Sequence, residues 1–287
     1  MNRSGPHFGA CLNTVPASLP ATAVWEDAAL AFQESGFVIV PDFLSSSELD
    51  ALRQECDTLV ELAQDQAGAA AACSREWAAE HRGCIFETTP RSSGSSACTS
   101  RHAFANARSR WPLTAVARDL LLGSRMQGLV YCLLGCPGYL FNDQYIVKPA
   151  MSQLSAFHWH RDSDWCNGED IEHHPYISVW IALDDMHPGN GSLHIKPLQQ
   201  TQHAAPPGAV ENGGSANTAD CAKQAVAVTV AAGTLVVMCD RVVHCSGPNN
   251  SLHTRRAWMP QFSAGPICQR SDGSLVSLAV PLNCDQL

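Results

Sequence analysis

The chain has 287 residues, 45% of them hydrophobic and 16% charged, and its formal net charge at pH 7 is −9. The hydrophobic fraction is ordinary for a globular protein and excludes a chain that is disordered throughout. Because acidic residues outnumber basic ones, and neither a basic cluster nor a long apolar run occurs, we expect a soluble protein without a membrane span and without nucleic acid as its main partner.

The first 27 residues are expected to form an N-terminal extension to a single domain over residues 28–287. They contain no continuous apolar stretch, which argues against a secretory signal, while the lack of acidic residues before Glu26 leaves a transit peptide open. The 13 cysteines include no pair with C-x-x-C spacing, so we expect reduced core thiols rather than a zinc knuckle. We therefore expect a cytoplasmic location.

The N-terminal part of this domain, residues 28–138, is predicted to be mostly helical. A first helix leads into a short strand at residues 36–40. A second helix is expected after a run of serines, where Ser45 and Glu48 have the spacing of a capping box, and leucines follow at helical intervals. We interpret this part of the chain as packing scaffold.

Two irregular segments interrupt the regular pattern. Residues 64–110 are rich in alanine, serine and turn formers, and residues 200–225 are rich in breakers, so both are expected at the surface. Between them, a helical pattern breaks near Gly123. Short β-like runs then follow over residues 139–265 and predict an antiparallel sandwich or barrel, and residues 266–287 form a C-terminal segment. The fold class is therefore mainly β with flanking helices.

The stretch "AFHWHRDSDW" concentrates ionisable groups among aromatic residues. On a strand, residues two apart face the same way, so His158, His160 and Asp162 are expected on one side. An imidazole and a carboxylate at this spacing can bind one metal ion if a third ligand comes from elsewhere, and His244 ends a later apolar run. Two histidines and one aspartate form a facial triad that leaves three positions of an octahedral Fe(II) open.

Other interpretations of this stretch stay open. His158 shares the side of the proposed ligands and is expected near the metal or in the substrate pocket, but it could itself be a ligand in an H-x-H pair of the cupin type. That pattern needs a glutamate where Asp164 and Trp165 stand. The paired carboxylates of Asp184 and Asp185 are expected to cap a strand end, and one of them could instead orient a ligand histidine.

A basic residue completes the predicted site. Arg255 follows His244 by eleven residues, and a guanidinium facing the interior needs an anion, such as the far carboxylate of a dicarboxylate cosubstrate. Ser246 could donate a further hydrogen bond to it. Arg256 would face the other side of the strand as a solvated charge, although a slipped register would exchange the two arginines.

Taken together, "HWHRD", "NGSLHIKPLQQTQH" and "HCSGPNNSLHTRR" resemble the phytanoyl-CoA dioxygenase family of Fe(II)- and 2-oxoglutarate-dependent oxygenases. The early segment "FQESGFVIVPDFLSSSELDAL" is similar to the family's entry segment. The resemblance covers roughly residues 28–63 and 140–263. The sequence departs from the family in "KPLQQTQH", which lacks the glycine of the family's usual run after the Asn-Gly turn.

The resemblance implies a double-stranded β-helix, or jelly roll, and the ligands of its cofactors. Fe(II) would be held by His160, Asp162 and His244. The cosubstrate 2-oxoglutarate would be held by Arg255 and Ser246, with Gln144 and Lys148 lining its pocket.

The implied activity is the hydroxylation of a small organic substrate by O2, with release of succinate and CO2 from 2-oxoglutarate. Halogenating relatives have a small residue in place of the acidic ligand, so Asp162 favours hydroxylation. Two alternatives stay open: a non-catalytic jelly-roll binding protein, and a cupin-type metalloenzyme that does not use 2-oxoglutarate. Substrate specificity is expected to come from the two irregular segments.

Overall fold

The computed structural model describes residues 22–66, 84–85, 115–153, 155–166, 169–172, 174–198, 224–277 and 279–282. The helices in this part are α1 Thr22–Ser35, α2 Ser46–Gln66, α3 Ala115–Leu122 and α4 Ser124–Leu134. The strands are β1 Phe37–Val40, β2 Cys84–Ile85, β3 Tyr139–Lys148, β4 Phe157–His160, β5 Tyr176–Ala182, β6 Leu193–Lys196, β7 Val226–Ala227, β8 Leu235–Cys239, β9 Val243–Ser246, β10 Arg255–Ser263 and β11 Val280–Pro281. Two short 3-10 helices cover Asp162–Cys166 and Pro188–Asn190.

The helix boundaries follow the local signals in the sequence. The Ser45 amide donates to Glu48 Oε2 at 2.8 Å and the Glu48 amide donates to Ser45 Oγ at 3.3 Å, so the predicted capping box starts α2. Gly123 separates α3 from α4 with extended backbone, as expected from the break in the pattern, and Gly135 ends α4 in the left-handed region at φ 72°.

The strands form two antiparallel sheets. The larger sheet has the order β1-β8-β5-β10-β3-β11, and β2 also pairs with β3. The smaller sheet has the order β4-β9-β6-β7. Strands distant in sequence lie side by side in both sheets, and this arrangement confirms the predicted mainly β class with a jelly-roll core.

The two faces of the larger sheet have different partners. Val179, Val237 and Trp258 lie in one buried cluster with residues of the four helices. On the alternate positions, Trp180 and Met259 lie in a second cluster together with residues of the smaller sheet. The helices therefore cover the outside of the larger sheet, while the space between the sheets holds the second cluster and, as described below, the polar site.

The predicted strand through Asp162 is wrong, because β4 ends at His160 and Asp162 begins a 3-10 helix. The irregular segments 64–110 and 200–225 lie mostly outside the described residues. The division of the chain into an extension and one domain stays a prediction, and its first boundary falls within α1. No helix in the described ranges is long and apolar enough to cross a membrane.

Candidate metal centre and anion pocket

Three side chains from two distant parts of the chain converge at one end of the space between the sheets. His160 and His244 are directly opposite each other on β4 and β9 of the smaller sheet, and their ring centroids are 4.3 Å apart. Asp162 Oδ1 lies 3.7 Å from His160 Nε2 and 3.5 Å from His244 Nε2. One possible ligand atom from each residue lies within 4.8 Å of the other two. The structure thus brings the three predicted iron ligands together.

Backbone contacts fix the orientation of both imidazole rings. His160 Nδ1 lies 2.7 Å from the carbonyl oxygen of His158, and His244 Nδ1 lies 3.1 Å from that of Val242. A carbonyl oxygen only accepts hydrogen bonds, so each ring, in its neutral form, donates through Nδ1 and keeps the Nε2 lone pair. In both rings Nε2 is the atom that faces Asp162, as a ligand nitrogen should.

Burial keeps His244 neutral. Its side chain is 6% exposed, and removal from water lowers its pKa below the usual range. This effect of burial outweighs the attraction of Asp162, and His160 lowers the pKa further. A neutral imidazole is the form that binds a metal ion. The side chain of His160 is 34% exposed, whereas that of Asp162 is 8% exposed, so the centre opens to solvent on the His160 side.

Asp162 is held by residues of the larger sheet. Its Oδ2 accepts a hydrogen bond from Ser178 Oγ and lies 3.4 Å from Gln261 Nε2. Its Oδ1 faces the two histidines. Two neutral imidazole nitrogens and one carboxylate oxygen on one side of the ion suit Fe(II). The donor set therefore fits the metal that the resemblance implies.

Two buried cations lie further into the same space. Lys148 and Arg255 are partners in register on β3 and β10, with relative exposures of 0% and 2%. Lys148 Nζ donates to Ser246 Oγ at 2.8 Å, which joins the larger sheet to the smaller one. Arg255 Nη2 donates to the Gly191 carbonyl, and its guanidinium lies 5.8 Å from the Trp180 ring centroid. Two adjacent buried positive charges favour the binding of an anion here.

Gly191 permits this arrangement. Its φ is +80°, and a Cβ atom there would lie 2.6 Å from the Gly247 carbonyl oxygen and 2.8 Å from Lys148 Cδ. The turn before β6 therefore needs glycine, both for its backbone conformation and for its close approach to the anion pocket. In sequence this is the Asn-Gly turn that contributed to the family resemblance.

Gln144 and the described histidines outside the metal cluster differ in how far they are buried. Gln144 is buried on β3, two residues from Asn142 and four from Lys148, on the side that faces the interior. His158 is exposed, and its carbonyl oxygen contacts His160 Nδ1. The metal cluster found among the described residues does not include the His158 ring. His187 is exposed, His174 is half-buried, and His173 lies outside the described residues.

Arg256 is not the solvated charge that we expected. Its guanidinium donates to Asp184 Oδ1 and to Asp57 Oδ2, each at 2.8 Å, and its side chain is 19% exposed. Asp184 therefore anchors an arginine on the helical side of the sheet and does not orient a ligand histidine. Asp185 Oδ1 accepts from the Ala232 amide at 2.9 Å, which fits the expected role at a strand end.

The comparisons with known proteins agree with this geometry. The family model for phytanoyl-CoA dioxygenase (PhyH) matches residues 32–257. The chain belongs to this family. Its match with the ectoine dioxygenase of Halomonas elongata is 29% identical over 168 residues, which is 58% of this chain and 43% of that relative. A second ectoine dioxygenase, from Nocardia farcinica, is 35% identical over 86 residues, or 30% of this chain and 28% of that protein. The matches thus span less than half of the curated relatives.

Solved structures share the fold of this family member. EctD from S. alaskensis, crystallised with 2-oxoglutarate and 5-hydroxyectoine, has a TM-score of 0.60 and 20% identity, with 88% of this chain and 80% of that chain covered. The α-ketoglutarate-dependent carbocyclase SnoK from nogalamycin biosynthesis has a TM-score of 0.58 and 20% identity, with coverage of 90% and 93%. At this identity the likeness establishes the fold.

Proposed function

We propose that this protein is an Fe(II)- and 2-oxoglutarate-dependent dioxygenase that hydroxylates a small organic molecule. One observation carries the proposal: His160, Asp162 and His244 present two imidazole nitrogens and a carboxylate oxygen within 4.8 Å of one another. Iron bound there would activate O2, with 2-oxoglutarate as the co-reductant that leaves as succinate and CO2. The contribution of the protein itself would be to bind and orient 2-oxoglutarate and the substrate next to the metal.

The placement of 2-oxoglutarate follows from the strand geometry. Ser246 lies two residues beyond His244 on the same face of β9, about 7 Å further along the strand. Lys148 donates to Ser246 at that level, and Arg255 is the register partner of Lys148 on the adjacent strand. A five-carbon dicarboxylate could therefore bind the metal at one end and these three side chains at the other. We assign Gln144 to the wall of this pocket, because it lies on the same face of β3 between the metal level and Lys148.

Burial supports the proposed chemistry. The apolar cluster around Trp180 and Met259 fills the interior next to the anion pocket and would exclude water from a bound cosubstrate. The half-exposed His160 leaves one side of the centre accessible, so we place the substrate there. The carboxylate of Asp162 occupies the position that halogenating relatives leave open, which supports hydroxylation as the outcome.

We place the enzyme in the cytoplasm. The described residues Cys56, Cys132, Cys239 and Cys268 carry thiols and not disulfides. Reduced cysteines are typical of a reducing compartment. Fractionation of the source cells, followed by detection of the protein, would test this assignment.

Turnover assays test the proposed activity. Purified protein should release succinate from 2-oxoglutarate when Fe(II), ascorbate and O2 are present, and ectoine is a reasonable first member of a substrate panel because two curated relatives are ectoine dioxygenases. A product that gains one oxygen atom from 18O2 would support hydroxylation. Metal binding without succinate release would favour a binding protein, and product formation without 2-oxoglutarate would favour a cupin-type enzyme.

A further inference from the structure

A row of polar side chains crosses the inner face of the larger sheet towards the candidate metal centre. Gln261 on β10 is in register with Asn142 on β3 and with Ser178 on β5. All three residues are buried. Next to the row on the same face lie the apolar side chains of Trp180 and Met259. Buried polar groups cost free energy unless hydrogen bonds satisfy them, so the row needs an explanation.

Each residue of the row donates a hydrogen bond to the next one, from Asn142 towards Asp162. Asn142 Nδ2 donates to Gln261 Oε1 at 2.7 Å, and Gln261 Nε2 donates to Ser178 Oγ at 2.7 Å. The Ser178 hydroxyl accepts this hydrogen bond and donates its own hydrogen to Asp162 Oδ2. A carboxylate can only accept, so the order of donors and acceptors is fixed by Asp162 at its end.

Asp162, together with Asn142, determines which way the Gln261 amide faces. If this amide were rotated by half a turn, its NH2 group would meet the NH2 group of Asn142. Its oxygen would then face Asp162 Oδ2, which now lies 3.4 Å from the amide nitrogen. Both contacts would be repulsive, so the observed orientation is the stable one. The row therefore presents only donors to the outer oxygen of Asp162.

These contacts distinguish the two oxygens of the carboxylate. Oδ2 receives the Ser178 hydroxyl, and Oδ1 is the atom that faces both imidazoles, at 3.7 and 3.5 Å. A carboxylate that bound the metal through both oxygens would occupy one of the three positions needed by 2-oxoglutarate and O2. A hydrogen bond to Oδ2 competes with that second metal bond.

On this basis, and given the iron site of the proposed function, we propose that Asn142, Gln261 and Ser178 are positioning residues that keep Asp162 a ligand through Oδ1 alone. In this arrangement they would touch neither a bound metal nor the cosubstrate. Their role is to orient a ligand from the opposite sheet and to keep the remaining coordination positions open. The row would thus govern metal affinity and coordination number.

The test uses the full chain with Co(II) as the probe. Removal of an outer hydrogen-bond partner costs about 10- to 100-fold in metal affinity, so Ser178→Ala should raise the Kd for Co(II) by about that factor. The visible absorption of the Co(II) protein, which responds to coordination number, should change on addition of 2-oxoglutarate differently from that of the wild type. Ser178→Thr keeps the hydroxyl and should restore both properties.

A matched control separates positioning from general loss of packing. Ser263→Ala removes another fully buried hydroxyl from the larger sheet, one that donates to the Gly265 carbonyl at 2.7 Å outside the row. It should leave the Kd and the spectrum unchanged. If Ser178→Ala does not fold, Gln261→Met removes the next donor and should shift the Kd in the same direction.

The outcomes are distinguishable from failure of the proposed function. If the wild type does not bind Co(II), both the metal centre and the positioning row are rejected. If the wild type binds Co(II) but Ser178→Ala and Gln261→Met behave like Ser263→Ala, the row has no positioning role while the metal centre stands. A weakened Kd with an altered spectrum, restored by threonine, supports the inference.

Discussion

Arg255 and Arg256 are neighbours in sequence, yet their side chains extend to opposite sides of β10. Arg255 is buried between the two sheets and donates to the Gly191 carbonyl. Arg256 pairs with Asp184 and Asp57 on the side that the helices cover. The alternation of a strand thus gives adjacent, chemically identical residues separate surroundings and, under the proposed function, separate roles.

These two arginines allow a paired substitution. Arg255→Met should weaken 2-oxoglutarate binding by at least about 2 kcal/mol, roughly 30-fold in affinity. The reason is that it removes the buried positive charge that would pair with the far carboxylate of 2-oxoglutarate. Arg256→Met should leave that affinity unchanged and lower the free energy of unfolding by about 1.5–3 kcal/mol, through loss of its charged hydrogen bonds. Titration calorimetry with 2-oxoglutarate and urea denaturation measure the two effects. Equal effects of both variants on 2-oxoglutarate binding would contradict the assignment.

His158 and His160 provide a similar test of the metal ligands. His160→Ala removes an imidazole from the centre and should reduce Fe(II) affinity by more than the roughly 10- to 100-fold expected for an outer hydrogen-bond partner. His158→Ala keeps the backbone carbonyl that orients His160, so it should bind Fe(II) almost as the wild type does. Iron content after dialysis is the measurement. Loss of iron from the His158 variant as well would instead support a cupin-type ligand pair of His158 and His160.

Gly191 is expected to be intolerant of any side chain. Gly191→Ala would impose a positive φ on alanine and place its Cβ against the Gly247 carbonyl and the Lys148 side chain. Gly273, at φ +72° with nothing within 4 Å of such a Cβ, is the control for backbone strain alone. We expect Gly273→Ala to cost about 1–2 kcal/mol of stability, and Gly191→Ala to cost more and also to weaken 2-oxoglutarate binding. Thermal unfolding with and without 2-oxoglutarate separates these effects.

The α2 capping box should make stability depend on pH. Burial alone would raise the pKa of Glu48, but hydrogen bonds from Ser45 and Arg125 outweigh it and lower the pKa below its ordinary value of 4.5. A lowered pKa stabilises the folded chain above the unfolded value and loses this effect as pH falls through the folded value. Glu48→Gln should therefore be less stable than the wild type at neutral pH, by about 0.5–1 kcal/mol.

The stabilising effect of the Glu48 carboxylate should disappear in acid. The difference between Glu48→Gln and the wild type should shrink as pH falls below 4.5, because protonation removes the charge from Glu48. Urea denaturation of both proteins over a pH series is the measurement. A difference that stays constant through the acid range would show that the carboxylate charge has no part in the cap.

The sequence predicted much of the fold because its signals are local. The bounds of β3 coincide with the run "YLFNDQYIVK", and the break at Gly123 follows from glycine alone. The strand through Asp162 was predicted wrongly because a nearer hydrogen bond competes with the sheet. The Arg161 amide donates to Asp164 Oδ2 at 2.8 Å, which turns the chain into a 3-10 helix directly after His160.

The candidate site was predictable only in part. His160, Asp162, His244 and Arg255 carry rare side chains at spacings that indicate metal and anion binding. Ser178 gave no such signal, because it lies in the fully buried run "YISVWIA", where a small residue is as easily explained by packing. Gln261 could have been noticed as the amide within the apolar run "RAWMPQFS", but its partners come from β3 and β5, and that register is not visible in one strand.

The position of Asp162 between the sheets has a mechanical consequence. Two ligands of the proposed iron belong to the smaller sheet, while the third is tied to β5 of the larger one. A bound ion would therefore link the two sheets at the open end of the sandwich. The contact of Lys148 with Ser246 links the same two sheets deeper inside. Chelation should let the rims of the two layers separate more often, and the amides of β4 and β9 would then exchange with deuterium faster than those of β10.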